Sequence, residues 1–175
     1  MNLPQQMIAP YVWNIENFSL KQKLIEESFD NFILSEPFYS SVGGYKLCLV
    51  VWPDGSPVSN FKCLSVGFHL MKDKNDEHLD WPMKCSITIS LMNQNWSWVH
   101  SSVQFDYHST NKNFRGCFHR PTISMNKPRT NTHFININTL MNNQKLYRND
   151  SIILKCSVEE TDYFDQDSDD EYLDY

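Results

Sequence analysis

The chain of 175 residues carries six histidines and five cysteines, the side chains that most often hold metals or act as nucleophiles. Their spacing argues against both roles. No HExxH pair occurs, and no two cysteines stand in the paired arrangement that clamps zinc. Cys117 and His119 come nearest to a nucleophile and its base, but strand alternation would set both on one face with no third group to orient the imidazole. Asp76, Glu77 and Asp80 crowd together in a polar connection, where carboxylates are usually solvated. Gly55, Gly67 and Gly116 are isolated, so no glycine-rich loop is set to cradle a phosphate. The residues predict no enzymatic activity, no metal and no cofactor.

The elements that must position any site are strands. Pro37 to Gly55 reads PFYSSVGGYKLCLVVWPDG, a turn at Val42-Gly43-Gly44, a long strand, and a second turn at Pro53-Asp54-Gly55. Tyr45, Leu47, Leu49 and Val51 point to one face of that strand. Lys46, Cys48, Val50 and Trp52 point to the other, which reads as mixed, with Val50 and Trp52 outward. Further alternating runs cover Tyr11–Ile15, Leu64–Leu70, Ser86–Met92, Trp96–Tyr107, Phe134–Ile137 and Ile152–Val158. Short helical turns are expected over Phe18–Glu27, capped by Ser19, and over Thr139–Gln144. Seven or eight short strands with little helix predict an all-β, antiparallel β-sandwich.

Composition sets the class. A hydrophobic fraction of 41% is that of a globular domain, and no run is long enough to span a membrane. The start, MNLPQQMIAP, lacks the basic and apolar regions of a signal peptide. The cysteine number is odd and the thiols (Cys48, Cys63, Cys85, Cys156) fall in or beside strand patterns, which suits reduced, buried groups in a cytoplasmic protein. Charge is split: residues 1–158 hold all 15 Lys and Arg with 12 acids, whereas residues 159–175 hold nine acids and no base. The expected organisation is a lead (1–9), one domain (10–158) and a disordered acidic tail (159–175). The body is too weakly basic for nucleic acid.

The motif PFYSS-x-GGYKLCL resembles the strand pair of the TRAF-C domain, the TNF-receptor-associated-factor branch of the MATH domain family. Supporting blocks run in family order: Tyr11-Val12-Trp13-Asn14-Ile15, Leu64-Ser65-Val66 with His69-Leu70-Met71, and Leu79-Asp80-Trp81-Pro82. They continue through Ile87–Gln94, Phe118-His119-Arg120-Pro121 and Tyr147-Arg148-Asn149-Asp150. The resemblance implies an eight-stranded sandwich that holds an extended receptor-tail or adaptor peptide along a sheet edge. It maps the groove to Val50, Trp52, Asp54, Gly55, Gly67, Arg115, Gly116, Cys117, Phe118, Arg129, Thr130 and Asn131. Val50 stands where the family commonly has arginine, Gly67 where it has a large apolar residue, and Arg115 where it often has serine. Arg115, Arg129 and Trp52 are therefore expected to replace the lost contacts.

The expected function is a peptide-binding adaptor; the alternative is a MATH substrate-recognition module serving a ubiquitin ligase or deubiquitinase. Neither a coiled coil nor a RING-like cysteine array is visible, so this chain is expected to be monomeric or weakly associated. The acidic tail reads as a solubilising segment, or as one that folds back onto Arg115 and Arg129.

Overall fold

The computed structural model describes residues 9–26, 31–55 and 62–161. Most of the expected lead, the loop before Lys62, and the tail from residue 162 lie outside the described residues. The apolar alternation read from the sequence builds the two facing layers. One sheet has the order β1 (Tyr11–Ile15), β9 (Ile152–Glu160), β6 (Cys85–Met92), β7 (Val99–Phe105). The other has the order β2 (Ile33–Leu34), β4 (Lys46–Trp52), β5 (Cys63–Met71), β8 (Arg129–Asn136), with β3 (Phe38–Tyr39) also on β4. Every pair is antiparallel.

β2 and β3 pair with successive parts of β4 on the same side and act as one interrupted strand. The eight expected strand positions are thus filled by nine segments among the described residues. The interruption is bridged at Ser35, whose N–H donates to the Leu49 carbonyl (3.0 Å) and whose hydroxyl accepts from the Leu49 N–H (2.9 Å).

Leu47, Leu49 and Val51 of β4 meet Leu64, Val66, Phe68 and Leu70 of β5 across the core from Ile87, Ile89 and Leu91 of β6. Burying each such side chain is worth about 1.5–3 kcal/mol, so this interior dominates the stability of the domain.

Four details depart from the sequence reading. The second face of β4 is not outward: Cys48, Val50 and Trp52 are buried at 8% exposure or less. Arg129–Asn131, outside the alternating runs read from the sequence, opens β8. Trp96 and Trp98 precede β7, and Trp96 has φ 61°, so they are turn residues instead of strand. β9 runs through Glu160, paired with Cys85, two residues beyond the expected domain boundary.

α1 (Phe18–Glu26) forms where expected, but Ser19 lies inside it and does not cap it. Instead Asp150 caps it from the turn before β9, accepting from the Ser19 N–H (2.8 Å) and hydroxyl (2.9 Å). That turn is tight because Asn149 and Asp150 both take positive φ (52° and 55°), which these residue types tolerate. α2 (Ile137–Met141) is capped by Asn136.

Candidate functional site

Strand register divides the six expected site residues that lie on strands between two faces. Val50, Gly67 and Thr130 are opposite one another across β4, β5 and β8, and so share a face. Leu49, Phe68 and Arg129 form the next row, on the other face, which is the one that lines the core. Arg129 therefore lies in the opening between the two sheets, and Val50 and Trp52 lie behind it. The sequence expectation of one groove containing all of them is corrected: alternation puts neighbouring positions on opposite faces.

β4 also cannot lend its backbone to a ligand. β2 and β3 pair it on one side and β5 on the other. Val50 is fully buried between Leu34 and Gly67, so it forms no exposed apolar wall. Trp52 is buried at 8% exposure, with its ring edge-on to Phe32 at 6.0 Å. Asp54 is exposed in the following turn, where its carboxylate accepts from the Gln22 amide of α1. Gly55 closes that turn at φ 97° by donating to the Trp52 carbonyl. A Cβ at Gly67 would stand 2.3 Å from the Arg129 carbonyl oxygen. The glycine thus marks a close approach of β8 backbone in place of the large apolar residue of the resemblance.

Of the strands that carry expected site residues, β8 is the outer one. Among the described residues it pairs only with β5, and it faces β7, the outer strand of the other sheet, across the opening. Between Asn131 and Ile135 it bulges, three residues standing opposite Ser65 alone. Asn131 supports the bulge by accepting from the His133 N–H (2.9 Å). The straight part of the edge is therefore Arg129–Asn131.

Around that edge the structure gathers Arg115, Cys117, Phe118 and Arg129. The 3-10 helical turn Lys112–Phe118 carries the first three, with Asn111 capping it. This corrects the strand expected for Cys117 and His119. The Cys117 Sγ faces the Pro128 carbonyl (3.7 Å), while the His119 ring lies near Tyr107, so the two do not make a pair. Burial pushes the Cys117 thiol up, against the pull of the Arg129 and Lys127 charges, which keeps it protonated and unreactive. Phe118 is fully buried against Phe68 and Tyr107 and anchors the turn to the core. Gly116 is exposed, with open space where a Cβ would stand.

The two guanidiniums are held differently. Arg115 lies over the Tyr107 ring at 4.8 Å and donates to the Thr110 and His108 carbonyls (both 3.2 Å), so much of its fork is used by its own loop. Arg129 is held between the rings of Phe105 (5.5 Å) and Phe114 (5.4 Å). Its Nη1 makes only a long 3.4 Å bond to Thr130, and its buried Nε has no hydrogen-bond partner. Neither arginine forms an ion pair among the described residues. Phe105, Tyr107 and Phe114, the rings that hold the cations, were not singled out from sequence. Their signal was present in Phe114 standing beside Arg115, and in Phe105 and Tyr107 two apart at the end of β7.

Comparison with known proteins agrees with this architecture. The family model described as MATH domain matches residues 10–158. TNF receptor-associated factor 5 of Mus musculus is 28% identical over 155 residues, covering 88% of this chain and 27% of that protein. TNF receptor-associated factor 6-A of Xenopus laevis is 32% identical over 152 residues, covering 85% and 26%. The chain thus spans about a quarter of the length of these curated relatives. The solved structure of Notothenia coriiceps TRAF5 superposes with a TM-score of 0.77 at 25% identity, covering 89% of this chain and 75% of that one. No helix among the described residues is long and apolar enough to cross a membrane. MATH domains of this type are protein-interaction modules, and this chain belongs to the MATH domain family, on its TRAF-like branch.

Proposed function

We propose that the domain is a non-enzymatic adaptor that binds an extended acidic segment of a partner protein along the Arg129–Asn131 edge of β8. The observation that carries this reading is Arg129, a cation held between two aromatic rings at an outer strand, with no carboxylate paired to it among the described residues. A fork fixed in advance loses little freedom when a carboxylate arrives, and two parallel hydrogen bonds then give both energy and orientation. Main-chain bonds to β8 would set the direction of the peptide, as in other cases of strand addition. Arg115 supplies a second, more committed cation at the far side of the opening. Phe114, at 53% exposure, offers an apolar surface between them. The relatives' name directs the choice of partner to the cytoplasmic tails of TNF-type receptors and their adaptors, and free thiols suit that reducing compartment.

Titration calorimetry with an extended peptide of alternating acidic and apolar residues tests the reading. Arg129→Ala should weaken binding by about 1–3 kcal/mol, the range for charge-assisted hydrogen bonds. Arg129→Lys should recover only part of that, because an ammonium cannot make the planar two-point contact. Unchanged affinity in Arg129→Ala and Arg115→Ala would reject this site.

A further inference from the structure

The charges of this chain are segregated beyond the split between body and tail. From Tyr107 to Asn149 there are seven Lys and Arg, the first Lys112 and the last Arg148, and no Asp or Glu. Residues 162–175, DYFDQDSDDEYLDY, hold seven acids, four aromatic rings and no base. The basic stretch contains the 3-10 turn and the start of β8, which carry Arg115 and Arg129.

The register of the first sheet brings these two segments to the same end of the fold. Ile87 of β6 is opposite Val158 on one side and Phe105 on the other. Val158 is thus two strand spacings, about 10 Å, from the strand position whose ring holds Arg129. β9 closes two residues later at Glu160, and the following Thr161 hydroxyl donates to the Lys84 carbonyl just before β6. Tyr107 follows Phe105 at that same end of the sheet. A segment of fourteen residues reaches about 45 Å when extended, several times the distance needed. Trp96 and Trp98, also exposed, precede β7 at the opposite end, and among the described residues no guanidinium lies over their rings.

We infer that residues 162–175 occupy the opening between β7 and β8 in cis, placing carboxylates on Arg115 and Arg129 and rings against Phe114 and Tyr107. The inference rests on the reading of that opening as an acidic-peptide site, for which the chain then carries its own competitor. Each exposed ion pair is weak. Tethering compensates, since a short flexible connection gives an effective concentration in the millimolar range. An external ligand must displace the tail, so the site favours partners that present several copies or a better grip on Arg129.

The test uses the full chain and a full-length variant with a neutral tail. The variant carries Asp→Asn at residues 162, 165, 167, 169, 170 and 174, together with Glu171→Gln. Amide spectra of the two proteins should differ at residues 107–118 and 129–131. The difference should vanish in about 0.5 M salt, where charge interactions fade within a few ångström, and in Arg129→Ala. An acetylated synthetic peptide of residues 162–175 should bind the neutral-tail variant about tenfold more tightly than the full chain, given millimolar competition. Superposable spectra with equal peptide binding to both proteins would overturn occupancy in cis and leave the binding site standing. Spectral differences confined to other surfaces would overturn it as well. If neither protein binds the peptide, the site and the inference both fall.

Discussion

Gly67→Ala should separate β8 from the sheet, and the size of the effect follows from one distance. A Cβ at this position would meet the Arg129 carbonyl oxygen at 2.3 Å and the Thr130 Cα at 3.0 Å. Carbon–oxygen contacts between strands normally lie near 3.3–3.6 Å, so the strands must part by about 1 Å. Hydrogen bonds near 2.9 Å would then stretch to about 3.9 Å, beyond useful length. Losing two such bonds costs about 1–3 kcal/mol, the same range as overpacking a tight interior. For a urea slope of about 2 kcal/mol per molar, the unfolding midpoint should fall by about 1 M. Amide exchange at residues 129–131 should rise more than at β6, because only the β5–β8 seam is opened. Gly116→Ala is the control: its side is open, and its stability should stay within about 0.5 kcal/mol. A Gly67→Ala protein with an unchanged midpoint and unchanged exchange in β8 would refute the close-approach argument.

Other outcomes follow from single side chains. Asp150→Ala should cost about 1–2 kcal/mol in thermal or urea unfolding, because the first turn of α1 loses its cap. Burial alone would raise the Asp150 carboxyl, but hydrogen bonds from Tyr147 and Ser19 hold it below its usual value. Its contribution is therefore present above pH 4 and is lost as pH falls through the lower folded value, a dependence that Asp150→Asn should remove. His69 is shifted down by burial, partly offset by its bond to the Asn126 carbonyl. Below pH 6.5 the unfolded chain takes up a proton that the folded one refuses, so stability should fall with pH there, and less steeply in His69→Gln. Burial raises the thiols of Cys48 to about 11 and of Cys85 and Cys156 to about 12. Iodoacetamide at pH 8 should leave these three unmodified in the native protein, as read by peptide mass mapping.

The sandwich was legible because β5, β6 and β9 each place apolar residues at every second position and bury them in one core. β4 was misread for a physical reason. Its second face alternates Lys46 with Cys48, Val50 and Trp52, which looks half-wet. Its β5 partners on that face are Ser65, Gly67 and His69, small or polar residues that are nonetheless buried. Short side chains let neighbouring segments close over that face, as Asn126 does by hydrogen bonding to His69. Single-strand alternation carries no trace of a covering made by distant chain. The same limit explains the divided site. The family resemblance assigned Arg115 and Arg129 to the groove, but only the register could show that Arg129 and Val50 face opposite ways. The aromatic supports were missed because they join β7, the 3-10 turn and β8, which are distant in sequence.

The bulge in β8 also bears on what happens when many copies crowd together. An open outer strand invites an identical strand to add beside it, and repetition of that step leads to fibres. Sustained addition needs outward amides and carbonyls in an even row. β8 breaks the row where Thr132, His133 and Phe134 stand opposite Ser65 alone. The Asn131 side chain also takes the His133 N–H that an incoming strand would use. The straight run that remains is three residues long, with a guanidinium at its start that repels its own copy. One irregularity thus works against the addition of a sibling strand along this edge.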